Sequence, residues 1–383
     1  MNWKDDMEYR RAAVMQMLIG EYYNSQSIGR AREWESQQVD MHERIYAQYN
    51  RKIAAMPSYE QPILLVTAGA GGVGKTTALN AYLDRLKEPH SAQFGELKEF
   101  GGIAAEGLQG DSFLAMSHND IKREMCANGA VDYIVNEYRR EIERKFDERI
   151  GGQPGENGKV FERPDMLSCG IHRESSWVMD KIAYECLKQK KNLVYDVALT
   201  DVKRVMGGEH KGGLFDSARQ FGYRVIALTV EGSQDQAMDG NYQNYLTGAI
   251  RLRGGDAYGV TVNPVNAIKF AYRNGSAESV CRENVRKIAA AGLIHRVIEA
   301  KFETSIEAKY ETSSDMRLQD PMNSEAHRQR DVASPATSPV TDRRALFQED
   351  VERHTRRTPS PSPSASNPGH QNPAKSPVTG RGR

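Results

Sequence analysis

Residues Gly69, Ala70, Gly71, Gly72, Val73, Gly74, Lys75 and Thr76 spell G-A-G-G-V-G-K-T, the pattern of a phosphate-binding loop. Glycines at these positions let backbone N–H groups turn inward onto phosphate oxygens. Lys75 reaches β- and γ-phosphates, and the Thr76 hydroxyl can ligate Mg²⁺. Thr77 follows as a second hydroxyl. The apolar run Ile63–Val66 before the loop reads as a buried strand, and Thr77–Leu83 after it reads as a helix. Strand, loop and helix in that order imply that the chain binds a nucleoside triphosphate.

Phosphoryl transfer needs further parts: a base for an acceptor hydroxyl, a second acid near Mg²⁺, and arginines for the transferring group. Each has a candidate. Asp120 follows the apolar stretch Phe113–Met116 and can accept a hydroxyl proton; an Asp there serves equally well as a helix N-cap. Asp196 ends Leu193-Val194-Tyr195 and can hold a Mg²⁺-bound water, or be an ordinary strand-end carboxylate. Arg251 and Arg253 sit in A-I-R-L-R-G-G, which suits a mobile lid and also a solvated helix end with a glycine stop. Arg273 is a weaker third candidate. No N-K-x-D guanine motif is present, and Leu193–Val197 has a single acid with no Glu after it, unlike the Walker B run of a motor ATPase. A small-molecule kinase remains.

The elements that must hold these groups read as an α/β alternation over 59–305. Strands are expected at 62–68, 112–117, 192–198, 223–230 and 293–298. Helical patterns cover 74–87, 120–149, 173–190, 214–221, 240–253 and 277–291. Repeated βαβ units imply a mostly parallel sheet flanked by helices, with ligands at the carboxyl ends of the strands. Residues 1–58 read as a helical arm: Val14, Met17, Leu18 and Tyr22 share one face, and a second polar helix spans 33–56. The arm either covers the core edge or binds a partner. Nine of the 15 prolines fall between Pro321 and Pro377, so 306–383 reads as a linker and a Pro/Ser-rich tail, disordered from 320 apart from a short transient helix at Ala345-Leu346-Phe347.

Composition narrows the class. Fifty-two basic and 51 acidic residues leave a net charge of +1, which gives nucleic acid and anionic membranes no global attraction. Four scattered cysteines lack metal or disulfide spacing and fit a reducing compartment. The N-terminus shows no signal peptide, and no apolar run reaches the ~20 residues of a membrane span. Action in the cytoplasm is expected, with export into a host cell also compatible. A mean hydropathy of −0.66 implies that part of the chain is unpacked.

The order of these parts resembles the zeta toxin family of P-loop kinases. The resemblance rests on the loop with Thr76-Thr77, on Asn119-Asp120 after the second strand, and on His172-Arg173-Glu174-Ser175. It continues through Lys191–Asp196, Tyr245–Arg251 and Gly292-Leu293-Ile294, and so covers about 60–303. It implies an ATP- and Mg²⁺-dependent transfer onto a hydroxyl of a nucleotide-linked metabolite. UDP-N-acetylglucosamine is the zeta-toxin acceptor; similar bacterial effectors use a nicotinamide dinucleotide. It also implies toxicity to a recipient cell, with an antitoxin or chaperone as a candidate partner of the arm. Asp120 is then the base, Arg251 or Arg253 the γ-phosphate clamp, and His172, Glu174 and Thr200 the acceptor contacts. The departures lie on the acceptor and lid sides: residues 88–111 and Gly151–Gly155 are extra. Asp196-Val197-Ala198 stands where Glu-Gly-Thr is usual, with Thr200-Asp201 beyond, and Gly254–Val260 intervenes before Asn263-Pro264. A nucleotide-binding interaction protein, with the loop as a switch, is the other reading.

Overall fold

The computed structural model describes residues 3–27, 36–88, 112–150, 162–201, 207–208, 211–273, 275–301 and 309–312. The tail from 313, the short helix expected at 345–347, the extra segment 89–111 and the glycine stretch 151–155 lie outside the described residues.

Five strands form a parallel sheet in the order β2 (Leu114–Ser117), β3 (Leu193–Asp196), β1 (Ile63–Ala68), β6 (Arg224–Glu231) and β7 (Arg296–Lys301). A sixth, β8 (Lys309–Thr312), adds antiparallel to β7, and β4 (Gly207–Gly208) pairs with β5 (Lys211–Gly212) as a separate ribbon. All five expected strands are present. β1 is central and buried along its whole length, so it reads as an unbroken apolar run rather than an alternation.

Pleating sends alternate residues to opposite faces. Leu64, Val66, Leu193, Tyr195, Val225 and Ala227 point to one core, while Ile63, Leu65, Val194, Ile226 and Leu228 point to the other. The first core is covered by α1 (Met7–Ser27), α2 (Ser36–Ala55), α4 (His118–Ala127), α5 (Ala130–Ile150), α7 (His172–Lys188) and α8 (Leu214–Gln220). The second is covered by α3 (Lys75–Leu86), α9 (Gln234–Arg253) and α10 (Val265–Ala271). α6 (Pro164–Leu167) is a single turn before α7, and α11 (Val280–Ala290) precedes β7.

Three readings change. The helix expected at 120–149 is two helices, because Gly129 turns the chain at φ 83°, a conformation costly for residues with a Cβ. α9 begins at Gln234, earlier than expected, under a capping box of Ser233 and Gln236. The buried face of α1 includes Tyr9, Ala12, Met15, Gln16, Leu18 and Ile19, with Val14 and Met17 only half-buried beside it. The arm is part of the core: Met15, Ile45 and Ile53 pack in the same cluster as Leu64 and Val66 of the central strand. Among the described residues no helix is long and apolar enough to cross a membrane.

Candidate active site

β1 ends at Ala68 and the chain turns through Gly69, Gly72 and Gly74 at φ 145°, 87° and 81° before α3 starts at Lys75. These left-handed angles favour glycine. Space imposes the same choice. A Cβ on Gly69 would lie 2.4 Å from the Val230 carbonyl at the end of β6, and one on Gly72 would lie 2.1 Å from the Ala237 carbonyl of α9. The Gly69 N–H donates to the Ala198 carbonyl just past β3 (3.2 Å). The loop is thus fixed between the ends of β3 and β6 and the first turns of α9. The Lys75 ammonium folds over it and donates to the Ala70 carbonyl (3.0 Å).

Asp196 faces this loop from the end of β3. Its carboxylate accepts from the Thr67 hydroxyl (2.5 Å), and the Thr67 oxygen in turn accepts from the Val197 N–H (3.0 Å). Burial pushes the Asp196 carboxyl above its usual range, and neighbouring Asp120 adds to the rise. Lys75 and hydrogen bonds from Thr67 and Thr76 oppose it. Lys75, Thr76 and Asp120 therefore each lie within electrostatic reach of Asp196. The Thr76 hydroxyl and the Asp196 carboxylate are hard oxygen donors. They fit Mg²⁺, which uses one or two protein oxygens and completes its shell with phosphates and water.

Asp120 sits in the first turn of α4, exposed, across from Asp196 where β2 and β3 pair in parallel through Ser117 and Asp196. Its Oδ2 accepts from the Ser117 N–H (2.9 Å) and hydroxyl (2.7 Å), and its own N–H donates to the Ser117 oxygen (3.1 Å). Asp120 is not the N-cap expected as its alternative role: Ser117 is the N-cap, and Asp120 closes a complete capping box from the third helical position. The cap uses one carboxylate oxygen and leaves the other for a proton.

His172, exposed at the start of α7, has its ring 5.0 Å from that of His118, two residues before Asp120. The sequence reading missed His118. Glu174 goes elsewhere. It is buried under α2, where its carboxylate takes hydrogen bonds from His42 (2.6 Å) and Gln38 (3.4 Å). Thr200 follows Leu199, itself at φ 58°, and both carbonyls accept from the Asn284 side chain (2.8 and 3.1 Å).

Arg251 and Arg253 are exposed in the last turn of α9, and Arg253 Nε donates to the Ala249 carbonyl of its own helix (3.2 Å). The turn beyond them is anchored to α4. Arg123 pairs with Asp256 at 3.1 Å, and Asp256 also accepts from the Tyr258 and Gly259 N–H groups, which holds its carboxyl below the usual range. α9 therefore touches the phosphate loop with its first half and leads, through Asp256, to the helix that carries Asp120. Arg273, the weaker candidate, pairs with Glu283 on α11 at 2.7 Å.

No protein-family profile and no curated protein matches the chain. Among solved structures, a chain from the PezAT toxin–antitoxin system of Streptococcus pneumoniae aligns at a TM-score of 0.40 and 12% identity, over 84% of this chain and 97% of that one. The AvrRxo1-ORF1:-ORF2 assembly with ATP aligns at 0.40 and 13%, over 84% and 81%. The same assembly with sulphate ions gives 0.38 and 13%, over 84% and 83%. A likeness at this distance bears on neither activity nor acceptor.

Proposed function

We propose that the chain is an ATP-dependent phosphotransferase acting on a hydroxyl of a nucleotide-linked metabolite, a UDP-sugar or a nicotinamide dinucleotide. The observation that carries the reading is the convergence of Lys75, Thr76, Asp196 and Asp120 at the carboxyl ends of three adjacent parallel strands. A bare phosphate-binding switch requires no second carboxylate at the neighbouring strand end.

In this reading the loop N–H groups and Lys75 bind the ATP phosphates and draw charge from the β,γ-bridge. Thr76 and, through water, Asp196 would hold Mg²⁺, which would supply charge neutralisation when bound. Asp120 takes the acceptor hydroxyl proton on the oxygen its cap leaves open. The acceptor oxygen bonds to the γ-phosphorus as the bond to the ADP oxygen breaks, and Arg251 or Arg253 neutralises the transferring group. His172, whose ring lies beside that of His118 two residues before Asp120, is the acceptor contact this geometry favours, and Thr200 is retained from the family resemblance. Glu174 supports that pocket indirectly, through the placement of α7.

The toxin or effector role suggested by the zeta resemblance belongs to this proposal, as does an antitoxin or chaperone on the N-terminal helices. Because α1 and α2 bury their apolar faces in this chain's own core, such a partner would meet their outer side, where Met7 and Val39 are exposed.

The test incubates purified protein, Mg²⁺ and γ-labelled ATP with bacterial and eukaryotic metabolite extracts, beside Asp120→Ala. A labelled metabolite absent with the variant is expected and names the acceptor. ATP binding with no product in either extract would sink the kinase reading and favour the switch.

A further inference from the structure

Asn263 lies on the phosphate loop. Its carboxamide carbon and nitrogen are each 2.5 Å from the point where a Cβ on Gly71 would sit, so the amide occupies the space that a side chain on Gly71 would need. The adjoining Ala70 carbonyl holds the Lys75 ammonium. Lysine at this position reaches the β- and γ-phosphates, so the Ala70–Gly71 peptide lies on the β,γ side of the cradle. One peptide thus carries a cation on its carbonyl and a neutral amide on its α-carbon.

The backbone of Asn263 is held with unusual care. Asn241, fully buried on α9, accepts from the Asn263 N–H (2.7 Å) and donates to the Asn263 carbonyl (2.9 Å), gripping the residue at both ends. Asn241 also donates to the Tyr9 hydroxyl of α1 (2.9 Å). Pro264 confines Asn263 to extended conformations. The side-chain amide of Asn263 itself bonds to no described residue. A pinned backbone with an unspent amide donor beside an anion cradle is an arrangement for a ligand.

We propose that Asn263 donates its side-chain N–H to the γ-phosphate of bound ATP, with Asn241 as its positioning residue, so that this pair distinguishes the triphosphate from the diphosphate product. The proposal rests on the nucleotide-binding reading above and goes beyond it. Asn263 was not singled out by the sequence, where it figured only as the residue before Pro264.

Calorimetric titration of the full chain with Mg²⁺-ADP and with a non-hydrolysable Mg²⁺-ATP analogue tests this without knowing the acceptor. Asn263→Ala should bind the triphosphate about tenfold more weakly, the scale of one hydrogen bond to a charged group, and leave ADP affinity unchanged. Asn263→Asp keeps the shape and sets a negative charge against the phosphate, so its triphosphate-selective loss should be larger. Asn241→Ala should reproduce the loss of Asn263→Ala, and the double variant should add nothing to either. Equal losses for both nucleotides, or none, would overturn the assignment while leaving the nucleotide site intact. Failure of the unaltered chain to bind either nucleotide would overturn the site and Asn263 together.

Discussion

Gly240 of α9 rests directly on Gly72 of the phosphate loop: a Cβ on Gly240 would stand 2.0 Å from the Gly72 carbonyl oxygen. Two chain segments meet there backbone to backbone. In an open helix interior, Gly→Ala gains roughly 1 kcal/mol from propensity. Here Gly240→Ala should instead displace the loop, lower the melting temperature and weaken ATP binding by more than an order of magnitude. An alanine variant with normal ATP affinity would show that the contact is slack.

Lys75 and Asp120 should separate binding from transfer. Lys75→Ala removes the cation over Ala70 and should weaken ATP binding strongly. Asp120→Asn keeps an oxygen for the Ser117 cap but cannot take a proton. It should bind ATP and melt nearly as the unaltered chain does while losing transfer. Asp120→Ala should lose transfer and also about 1 kcal/mol of stability with the cap. Near-normal turnover in Asp120→Asn would leave Asp120 a cap alone.

Glu174 and His42 should matter to stability first. Their contact is buried on both sides, at 3% and 4% exposure. Truncating one partner of such a pair strands the other, at about 3 kcal/mol. Glu174→Ala should therefore lower the chemical-denaturation midpoint, whereas exposed His172→Ala should leave it unchanged and reduce transfer. If Glu174→Gln, which can still bond His42, slows transfer without changing the midpoint, Glu174 belongs to the acceptor pocket after all.

Lys122, on α4, gives a pH signature. Burial lowers its ammonium from 10.5 to about 8, and the nearby Cys126 and Cys169 only partly oppose this. Between about 8 and 10.5 the unfolded chain holds more protons at this position than the folded one. Stability from this group therefore rises with pH across that window, and below it the penalty is fully present, on the order of 3 kcal/mol. Burial raises the Cys126 and Cys169 thiols from 9.0 to about 12, which acts in the opposite sense above pH 9. The measurement is accordingly the stability of Lys122→Met minus that of the unaltered chain. It should be positive at pH 7 and shrink as pH rises; a difference constant with pH would exclude the titration.

The phosphate loop was legible because its chemistry is written in consecutive residues, and the strands because buried parallel strands are runs of Val, Ile and Leu. Asp120 was legible as a residue type at a strand end, but not that Ser117, three residues earlier, would be the cap it braces. What escaped was long-range. Nothing near Glu174 announces His42, 132 residues away, and nothing near Asn263 announces Gly71. The N-terminal helices read as an arm that covers the core edge or binds a partner, and not as part of the core, because their large apolar residues are few. Their place in the core depends on helices far along the chain, α2 packing on α7 and α1 on α5. The start of α9 was missed for a local reason: the Ser233–Gln236 cap was present in the sequence but the following residues are polar.

The ties from α1 also set an order of events. Asp6 accepts from Tyr242, Tyr9 accepts from Asn241, and Gln16 donates to the Val262 carbonyl, across separations of 236, 232 and 246 residues. The first described helix therefore waits for segments more than 230 residues further along the chain. Contacts this remote in sequence close late and slowly. Until the segment around Val262 and Asn263 has emerged, a nascent chain can form the glycine loop but cannot complete what surrounds it. Nucleotide competence should accordingly arise in one step, once that segment has emerged.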